Sequence, residues 1–277
     1  MSGQTSDWTR LILAVAPNGA RKTKADHPAL PIEPDEIARA AAACLEAGAA
    51  MIHLHVRDRD GNHSLDVEAY RAAIAALRRE VGEKLVIQVT TEAVGRYRPD
   101  EQMAMVRELR PEAVSLALRE LAPDQAAEPA AAEFFAWLQR EEIQPQFILY
   151  SDDDLRRFDD LRARGVVPQE RPFLLFVLGR YAKGQVSDPR DLLPFLAANQ
   201  AGHTWALCAF GRREIACAVA AAALGGHARV GFENNLHLPD GARAPDNAAL
   251  IAAAAAGARA IGRPLADAEA ARAIMAG

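Results

Sequence analysis

The chain has 277 residues, and half of them are apolar, a composition typical of a globular protein with a sizeable core. Acidic residues outnumber basic ones by 37 to 32, which gives a formal net charge of −5. This balance argues against a nucleic-acid partner or an anionic membrane, since either needs a concentrated basic face.

The sequence also lacks the marks of a membrane or secreted protein. No apolar run reaches the roughly 18 to 20 residues that a membrane span needs. The first residues, MSGQTSDWTR, show no basic region followed by an apolar one and so do not predict a signal peptide. Cys44, Cys208 and Cys217 are too widely spaced for a disulfide framework and are interpreted as buried apolar positions. We therefore expect a cytoplasmic protein.

Short apolar runs alternate with helical stretches along the whole sequence. The predicted strands, in chain order, cover residues 11–16, 51–56, 85–90, 113–118, 147–150, 173–178, 204–209 and 228–232. The predicted helices cover residues 34–46, 66–80, 99–109, 129–141, 151–164, 189–198, 212–224 and 246–260. Pro34 is expected near the start of the first helix and Gly48 just after its end, and Asp66 and Ser151 are predicted N-caps.

These eight strand–helix units predict a (β/α)₈ TIM barrel, with residues 1–277 forming a single domain. The near-continuous apolar strands are typical of parallel strands covered by helices, and the length is close to the roughly 250 residues usual for such a barrel. A doubly wound open sheet is the structural alternative. However, the first loop, APNGARKTKADHPALP, has no G-x-G-x-x-G phosphate motif.

The chemistry of a barrel lies at the carboxyl ends of its strands, and the second strand ends in His53-Leu54-His55. Residues two apart in a strand face the same side, so both imidazoles point into the mouth. Two neutral imidazoles suit a borderline metal such as Zn²⁺. The alternative is a pair of core or capping histidines.

The eighth strand ends near Glu233, which is the candidate third ligand of an open two-histidine, one-carboxylate site. The alternative for Glu233 is a helix N-cap. Arg229 lies four residues earlier and faces the same side, where it suits a substrate carboxylate or forms a structural ion pair.

Further polar residues lie at other predicted strand ends. Thr90 and Glu92 follow the third strand, where they bind substrate or merely cap the loop. Gly211 and Arg212 open the helix after the seventh strand, where they suit a phosphate or form an exposed basic turn.

The first loop, residues 18–24, includes Asn18 and Arg21, and its cations favour an anionic ligand unless they are simply solvated. Elsewhere in the loops, His27 and His63 are interpreted as surface residues.

Taken together, these residues resemble the β-keto acid cleavage enzyme family over essentially the full chain. The similarity is carried by four segments: NGARKTKADHPALPIEPDEI, AGAAMIHLHVRD, GGHARVGFENN and APDNAALI. The combination of H-x-H after the second strand with R-V-G-F-E after the eighth is specific, whereas either motif alone is weak.

The resemblance implies a TIM barrel, a homotetramer and one catalytic Zn²⁺. The family's metal ligands correspond to His53, His55 and Glu233, its catalytic arginine to Arg229, and its active-site serine or threonine to Thr90. The implied reaction converts a β-keto acid and acetyl-CoA into acetoacetate and a new acyl-CoA. The basic residues at the mouth would then meet the CoA phosphates and the keto-acid carboxylate.

Three positions differ from the family pattern. Asn234 replaces the acid that usually follows the zinc-binding glutamate, so Glu92 becomes the candidate base. Arg21 stands where a relative with an amino-substituted substrate has an acid, which predicts a substrate that is neutral or anionic at its far end. Gln146, on the fifth strand, replaces a residue that tends to be glutamate and is a candidate substrate contact.

Two rival functions remain open from sequence. A metal-dependent hydrolase of the amidohydrolase type also uses H-x-H in a barrel, but on its first strand and with further histidines that strands five and six lack here. A non-catalytic small-molecule-binding barrel with a structural zinc is the other rival. The open coordination position that three ligands leave argues against it.

Overall fold

The computed structural model describes residues 8–277, so the segment 1–7, on which part of the signal-peptide prediction rests, lies outside the described residues. The strands in chain order are β1 (Leu13–Val15), β2 (Met51–Leu54), β3 (Val56–Arg57), β4 (His63–Ser64), β5 (Val86–Thr90), β6 (Ala113–Ala117), β7 (Gln144–Leu149), β8 (Phe173–Leu178), β9 (Thr204–Ala209) and β10 (His227–Val230). Eight of them form a closed parallel barrel in the order β1-β2-β5-β6-β7-β8-β9-β10, and β10 pairs with β1. The predicted barrel is confirmed, and the open-sheet alternative is wrong.

Helices follow the barrel strands, and all of them except the last pack on the outside of the ring. They are α1 (Pro34–Ala47), α2 (Val67–Val81), α3 (Pro99–Leu109), α4 (Leu118–Leu121), α5 (Glu128–Arg140), α6 (Asp152–Ala163), α7 (Leu193–Ala198), α8 (Glu214–Ala223), α9 (Asn247–Ala260) and α10 (Ala268–Ala276), with a 3₁₀ turn at Pro189–Leu192. Asp66 accepts a hydrogen bond from the Ala69 amide, and Ser151 accepts one from the Asp154 amide. Both predicted N-caps are therefore confirmed.

Three elements are additional to the predicted ones. The polar loop after β2 folds into the short antiparallel hairpin β3–β4, α4 follows β6 directly, and α10 follows the eighth unit. The hairpin places His63 against the barrel mouth, whereas α10 lies at the opposite end. In the part of the chain that the structure describes, no helix has the length and apolar character to cross a membrane.

The core has two layers, as expected for a barrel wrapped in helices. The larger layer fills the space between strands and helices. The smaller one fills the barrel interior with side chains such as Leu175 and Phe210, and it includes Ala271 and Met275 of α10. Because α10 contributes to this interior layer, we conclude that it closes the amino-terminal end of the barrel. The carboxyl ends of the strands form the open mouth.

Candidate active site

Three buried side chains meet at the mouth of the barrel. The Nε2 atoms of His53 and His55 are 3.0 Å apart, and Glu233 Oε2 lies 3.7 Å and 3.6 Å from them, respectively. His53 lies on β2, His55 directly after it and Glu233 just beyond β10. The strand pairing β2-β1-β10 brings the two ends together, as the spacing predicts.

The His53 ring is oriented by a chain of amide side chains across the barrel. His53 Nδ1 lies 2.9 Å from Gln88 Oε1, and Gln88 Nε2 donates to Gln146 Oε1 at 3.1 Å. A carbonyl oxygen only accepts, so His53 carries its proton on Nδ1 and presents the Nε2 lone pair to Glu233. Burial first, and the charge on Arg229 second, lower the pKa of His53 well below its usual range.

His63 orients His55 in a similar way. His63 Nε2 lies 2.9 Å from the backbone oxygen of Glu92, and its Nδ1 lies 3.4 Å from His55 Nδ1. Burial lowers the pKa of His63 to about 3, so the neutral ring donates from Nε2 and accepts at Nδ1 from His55. The prediction of His63 as a surface residue is wrong, because the hairpin folds it over the mouth and leaves it 3% exposed.

The three groups fit a metal ion. Two imidazole lone pairs face each other, and the buried Glu233 Oε2 has no hydrogen-bond partner among the described residues. Such a set is unfavourable without a cation between its members, because buried acceptors need a partner. Two imidazoles and one carboxylate are the protein ligands of many catalytic zinc sites. His53, His55 and Glu233 therefore form a candidate metal site.

Arg229 lies behind Glu233. Its Nη2 is 3.4 Å from Glu233 Oε1 and 3.4 Å from Cys208 Sγ, whereas its buried Nε and Nη1 have no partner among the described side chains and backbone. Burial alone would raise the pKa of Glu233, but Arg229 and the two imidazoles hold it well below its ordinary value. The carboxylate is thus ionised, as a metal ligand must be.

The first loop packs against Glu233 from the other side. A Cβ on Gly19 would lie 2.5 Å from Glu233 Cγ, so only glycine allows this approach. Lys22 Nζ donates to the Glu233 backbone oxygen at 2.6 Å, and the buried Asn18 Nδ2 donates to the His55 backbone oxygen at 3.2 Å. Arg21, in contrast, is exposed to solvent. Lys22, and not Arg21, is the cation that this loop directs at the metal site.

Asn234 contacts a buried carboxylate that the sequence did not single out. Its Nδ2 donates to Glu214 Oε1 at 2.9 Å and to the Arg229 backbone oxygen at 3.3 Å, and its Oδ1 accepts from Cys208 at 3.2 Å. Burial raises the pKa of Glu214 to about 8. All polar atoms of the Asn234 amide are thus engaged within the protein. The only sequence signal for Glu214 is an acid at the start of an otherwise apolar helix.

A small cavity lies beside the candidate metal ligands. It is lined by His53, Thr90, Glu92, Ile148, Tyr150, Val177, Arg180, Phe210 and Glu233. Glu92 Oε1 pairs with Arg180 Nη2 at 2.8 Å, and Glu92 Oε2 lies 4.0 Å from His55 Nδ1. Thr90 Oγ1 accepts from the Glu92 amide at 3.1 Å. Thr90 and Glu92 therefore lie where the sequence predicted. Arg180, in the loop after β8, also lines the cavity and was not among the predicted site residues.

The remaining predicted residues lie outside this cavity. Gly211 and Arg212 line a separate groove with residues 184–188, in which Arg213 pairs with Asp188. Gln146 is buried in the amide chain behind His53.

The prediction of His27 as a surface residue is wrong. Its Nε2 lies 2.9 Å from the Ala244 backbone oxygen, its ring packs 4.3 Å from that of Phe232, and it is 3% exposed. The three cysteines are buried, as predicted.

Comparisons with known proteins show which family and fold the chain resembles. A family model described as beta-keto acid cleavage enzyme matches residues 10–276. The chain is 31% identical over 271 residues to a 3-keto-5-aminohexanoate cleavage enzyme of Fusobacterium nucleatum, covering 96% of this chain and 97% of the relative. It is 29% identical over 272 residues to a 3-oxoadipate:acetyl-CoA acetyltransferase of Cupriavidus necator, covering 95% and 94%.

Solved structures with the same fold include ObcA. In its ternary complex with a C4-CoA adduct and oxalate, the TM-score is 0.73 at 16% identity, over 90% of this chain and 67% of ObcA. In its apo structure the chain spans 65% of ObcA. A type I 3-dehydroquinate dehydratase from Clostridium difficile gives a TM-score of 0.62 at 10% identity, over 94% and 95%. At these identities the likeness concerns the barrel fold alone.

Proposed function

The chain belongs to the β-keto acid cleavage enzyme family, and from this premise we propose that it transfers an acyl group between a β-keto acid and acetyl-CoA, with zinc at His53, His55 and Glu233. One observation carries the proposal: two inward-facing Nε2 lone pairs and an unpartnered carboxylate oxygen lie within 4.8 Å of one another at the mouth of the barrel. The names of relatives, 3-keto-5-aminohexanoate cleavage enzyme and 3-oxoadipate:acetyl-CoA acetyltransferase, support the reaction class.

Lewis-acid stabilisation of an enolate is the chemistry that a bound Zn²⁺ supplies. Arg229 adds positive charge beside it, and its unpartnered Nε and Nη1 are suited to a substrate carboxylate. Asn234 donates to the Arg229 backbone oxygen and so helps to hold Arg229 in place. In this arrangement the guanidinium is prepared for the negative charge that develops on the substrate.

Glu92 is the proposed base, because its carboxylate lies in the cavity beside the metal ligands. Thr90 accepts from the Glu92 amide and Arg180 pairs with the carboxylate, so both hold it in position. Glu92 removes a proton from the carbon between the ketone and the carboxylate of the substrate. Gln146 accepts a hydrogen bond from Gln88, which in turn orients the His53 ring, so its role is indirect.

The proposed reaction needs no covalent intermediate on the protein. The deprotonated carbon attacks the acetyl thioester carbonyl, and the C–S bond breaks to release CoA thiolate. The thiolate then adds to the original ketone, and cleavage of the adjacent carbon–carbon bond gives the new acyl-CoA. The proton held by Glu92 returns to the departing acetoacetate carbon.

We also propose that the phosphates of CoA bind near Gly211 and Arg212, whose groove opens next to the loop after β8. The resemblance further supports a homotetramer of single-domain chains that works in the cytoplasm. Size-exclusion chromatography with light scattering would measure the number of chains.

The test combines metal analysis with a panel of β-keto acids. Purified protein is expected to hold about one zinc per chain and, with acetyl-CoA, to produce acetoacetate and the matching acyl-CoA by mass spectrometry. Replacing His53 by Ala or Glu233 by Gln removes a ligand, and turnover should fall by about 10³-fold or more, since metal stabilisation is worth several kcal/mol. Bound zinc should fall in parallel.

A matched control is His203→Gln, because His203 is also buried but pairs with Asp159 outside the site. This variant should keep its zinc and its turnover. Absence of bound divalent metal, or absence of acetoacetate with every acid tested, would contradict the proposed function. Hydrolysis of a test ester or amide without acetyl-CoA would favour the hydrolase alternative.

A further inference from the structure

The cavity beside the metal ligands contains an arginine whose hydrogen-bonding capacity is only partly used. Arg180 Nη2 pairs with Glu92 at 2.8 Å, and the side chain retains 10% exposure towards the cavity. Its Nε and Nη1 make no hydrogen bond to the residues that the structure describes. A guanidinium presents two planar forks, Nε–H with one Nη2 proton and Nη1–H with the other, and Glu92 uses only one Nη2 proton. One fork of Arg180 is therefore available to a further carboxylate.

The position of this fork is fixed. The Arg180 guanidinium carbon lies 4.9 Å from the centre of the Phe210 ring, a cation–π contact that holds the plane of the group. Ile148 and Val177 add apolar side chains to the lining of the cavity that Arg180 and His53 share. Because His53, Glu233 and Arg180 line the same cavity, a ligand held at the candidate metal ligands lies beside Arg180.

The charges around the cavity disfavour a cationic far end. Each of the two carboxylates that line it already has an arginine partner, since Glu92 pairs with Arg180 and Glu233 with Arg229. Lys22 adds a further positive charge beside Glu233. An ammonium group on the substrate would find no unpaired carboxylate in this cavity, whereas an anionic group would find unused donors.

We propose that Arg180 reads the far end of the substrate and that the preferred substrate is a β-keto dicarboxylic acid. This inference rests on the proposed function and sharpens it. It also moves the expected charge preference from the exposed Arg21 to a residue that lines the cavity. The β-keto carboxylate end lies at the candidate metal ligands and Arg229. The second carboxylate takes the free fork of Arg180, which includes one Nη2 proton, while Glu92 keeps the other Nη2 proton.

The test compares two acids with the same six-carbon chain, 3-oxoadipate and 3-oxohexanoate, which differ in the terminal carboxylate. Zinc-loaded protein is expected to show a kcat/KM about 10- to 100-fold higher for the dicarboxylate, the range for a charge-assisted bidentate contact. In Arg180→Gln this ratio should fall to about 1. Arg180→Lys, which keeps the charge without the fork, should give an intermediate ratio.

A loss of activity caused by disturbing Glu92 affects both acids alike, so it cancels in the ratio of their kcat/KM values. Arg21→Gln should keep the wild-type ratio, and a collapse of the ratio in that variant would overturn the assignment to Arg180. An equal loss for both acids in Arg180→Gln would also overturn it, as would a change confined to the KM of acetyl-CoA. So would better turnover of 5-amino-3-oxohexanoate than of 3-oxoadipate.

Failure of the proposed function is distinguished by a binding measurement. Calorimetry of zinc-loaded protein with 3-oxoadipate and 3-oxohexanoate reports the preference even when neither acid is turned over. A preference for the dicarboxylate that disappears in Arg180→Gln supports the inference independently of turnover. Equal affinities in wild-type protein would overturn it.

Discussion

Two buried arginines at opposite ends of the barrel differ in how fully they are paired. Arg263, 1% exposed, donates Nη1 to the backbone oxygens of Ala222 and Gly226 at 2.7 and 2.6 Å, and Nε to that of Thr9 at 3.0 Å. Arg229, 4% exposed, has two nitrogens without a partner among the described residues. Buried polar groups are normally satisfied, so an incompletely paired one marks a place where a ligand belongs.

The two environments also differ in charge. Burial without an acidic partner lowers the pKa of Arg263 to about 10. Burial acts in the same direction on Arg229, but Cys208 and Glu233 beside it raise its pKa above the ordinary value. Arg263 joins backbone segments at the closed end, whereas Arg229 supplies charge at the open end. We therefore expect Arg263 to serve stability and Arg229 to serve function.

The largest expected effect tests the difference between the two arginines directly. Arg229→Gln should lower kcat by about 10³-fold, comparable to the loss of a preorganised donor in other enzymes. Arg263→Gln should leave the turnover of folded protein unchanged but lower the free energy of unfolding by about 2 to 4 kcal/mol, because it leaves backbone oxygens unpaired. Urea denaturation and steady-state kinetics on both variants measure the two effects. Reversed roles would refute the contrast.

The fold and the metal ligands follow from patterns that are local in sequence. Apolar runs of strand length alternate with helical stretches, and His53 and His55 lie two apart on one strand. Strand ends in a parallel barrel always meet at one mouth, so the placement of Glu233 opposite them also follows.

The rest of the site depends on loops, which have no periodicity. His63 lies in the polar segment after β2 that folds into the hairpin β3–β4, and Arg180 lies in the loop after β8. The polarity of both residues alone suggests exposure. The folded hairpin buries His63 at the mouth, and Arg180 packs against Phe210 there. Arg21 and Lys22 are adjacent cations, and nothing in the sequence decides which one turns inward. The short helix α10 was missed because it follows the eighth repeat instead of belonging to it.

An intermediate effect is expected at the histidines that were wrongly interpreted as surface residues. His63→Gln removes the ring that orients His55, and loss of such a partner typically weakens metal binding 10- to 100-fold. His27→Gln is the matched control, since His27 is equally buried but contacts the Ala244 backbone oxygen and Phe232. Zinc competition with a chromophoric chelator measures both affinities. Equal zinc affinities in the two variants would mean that His63 does not support the site.

The smallest expected effect is a pH dependence that distinguishes a buried carboxylate from the ionised one at the metal site. Burial raises the pKa of Glu214 to about 8 from its ordinary value of 4.5, so between these values the folded protein keeps a proton that the unfolded chain releases. The free energy of unfolding should therefore fall as pH rises, by about 1.4 kcal/mol per pH unit. Glu214→Gln should abolish this slope.

The useful window for this measurement is pH 6.5 to 8. Burial lowers the pKa of His63 and of His227 to about 3 from 6.5, so both stabilise the fold as pH rises, but only below pH 6.5. Above that value they are neutral in the folded and unfolded states alike, and Glu214 dominates the difference between wild type and Glu214→Gln. A wild-type slope equal to that of the variant would mean that Glu214 is already ionised. The buried carboxylate would then resemble Glu233, and Asn234 would donate to a full negative charge.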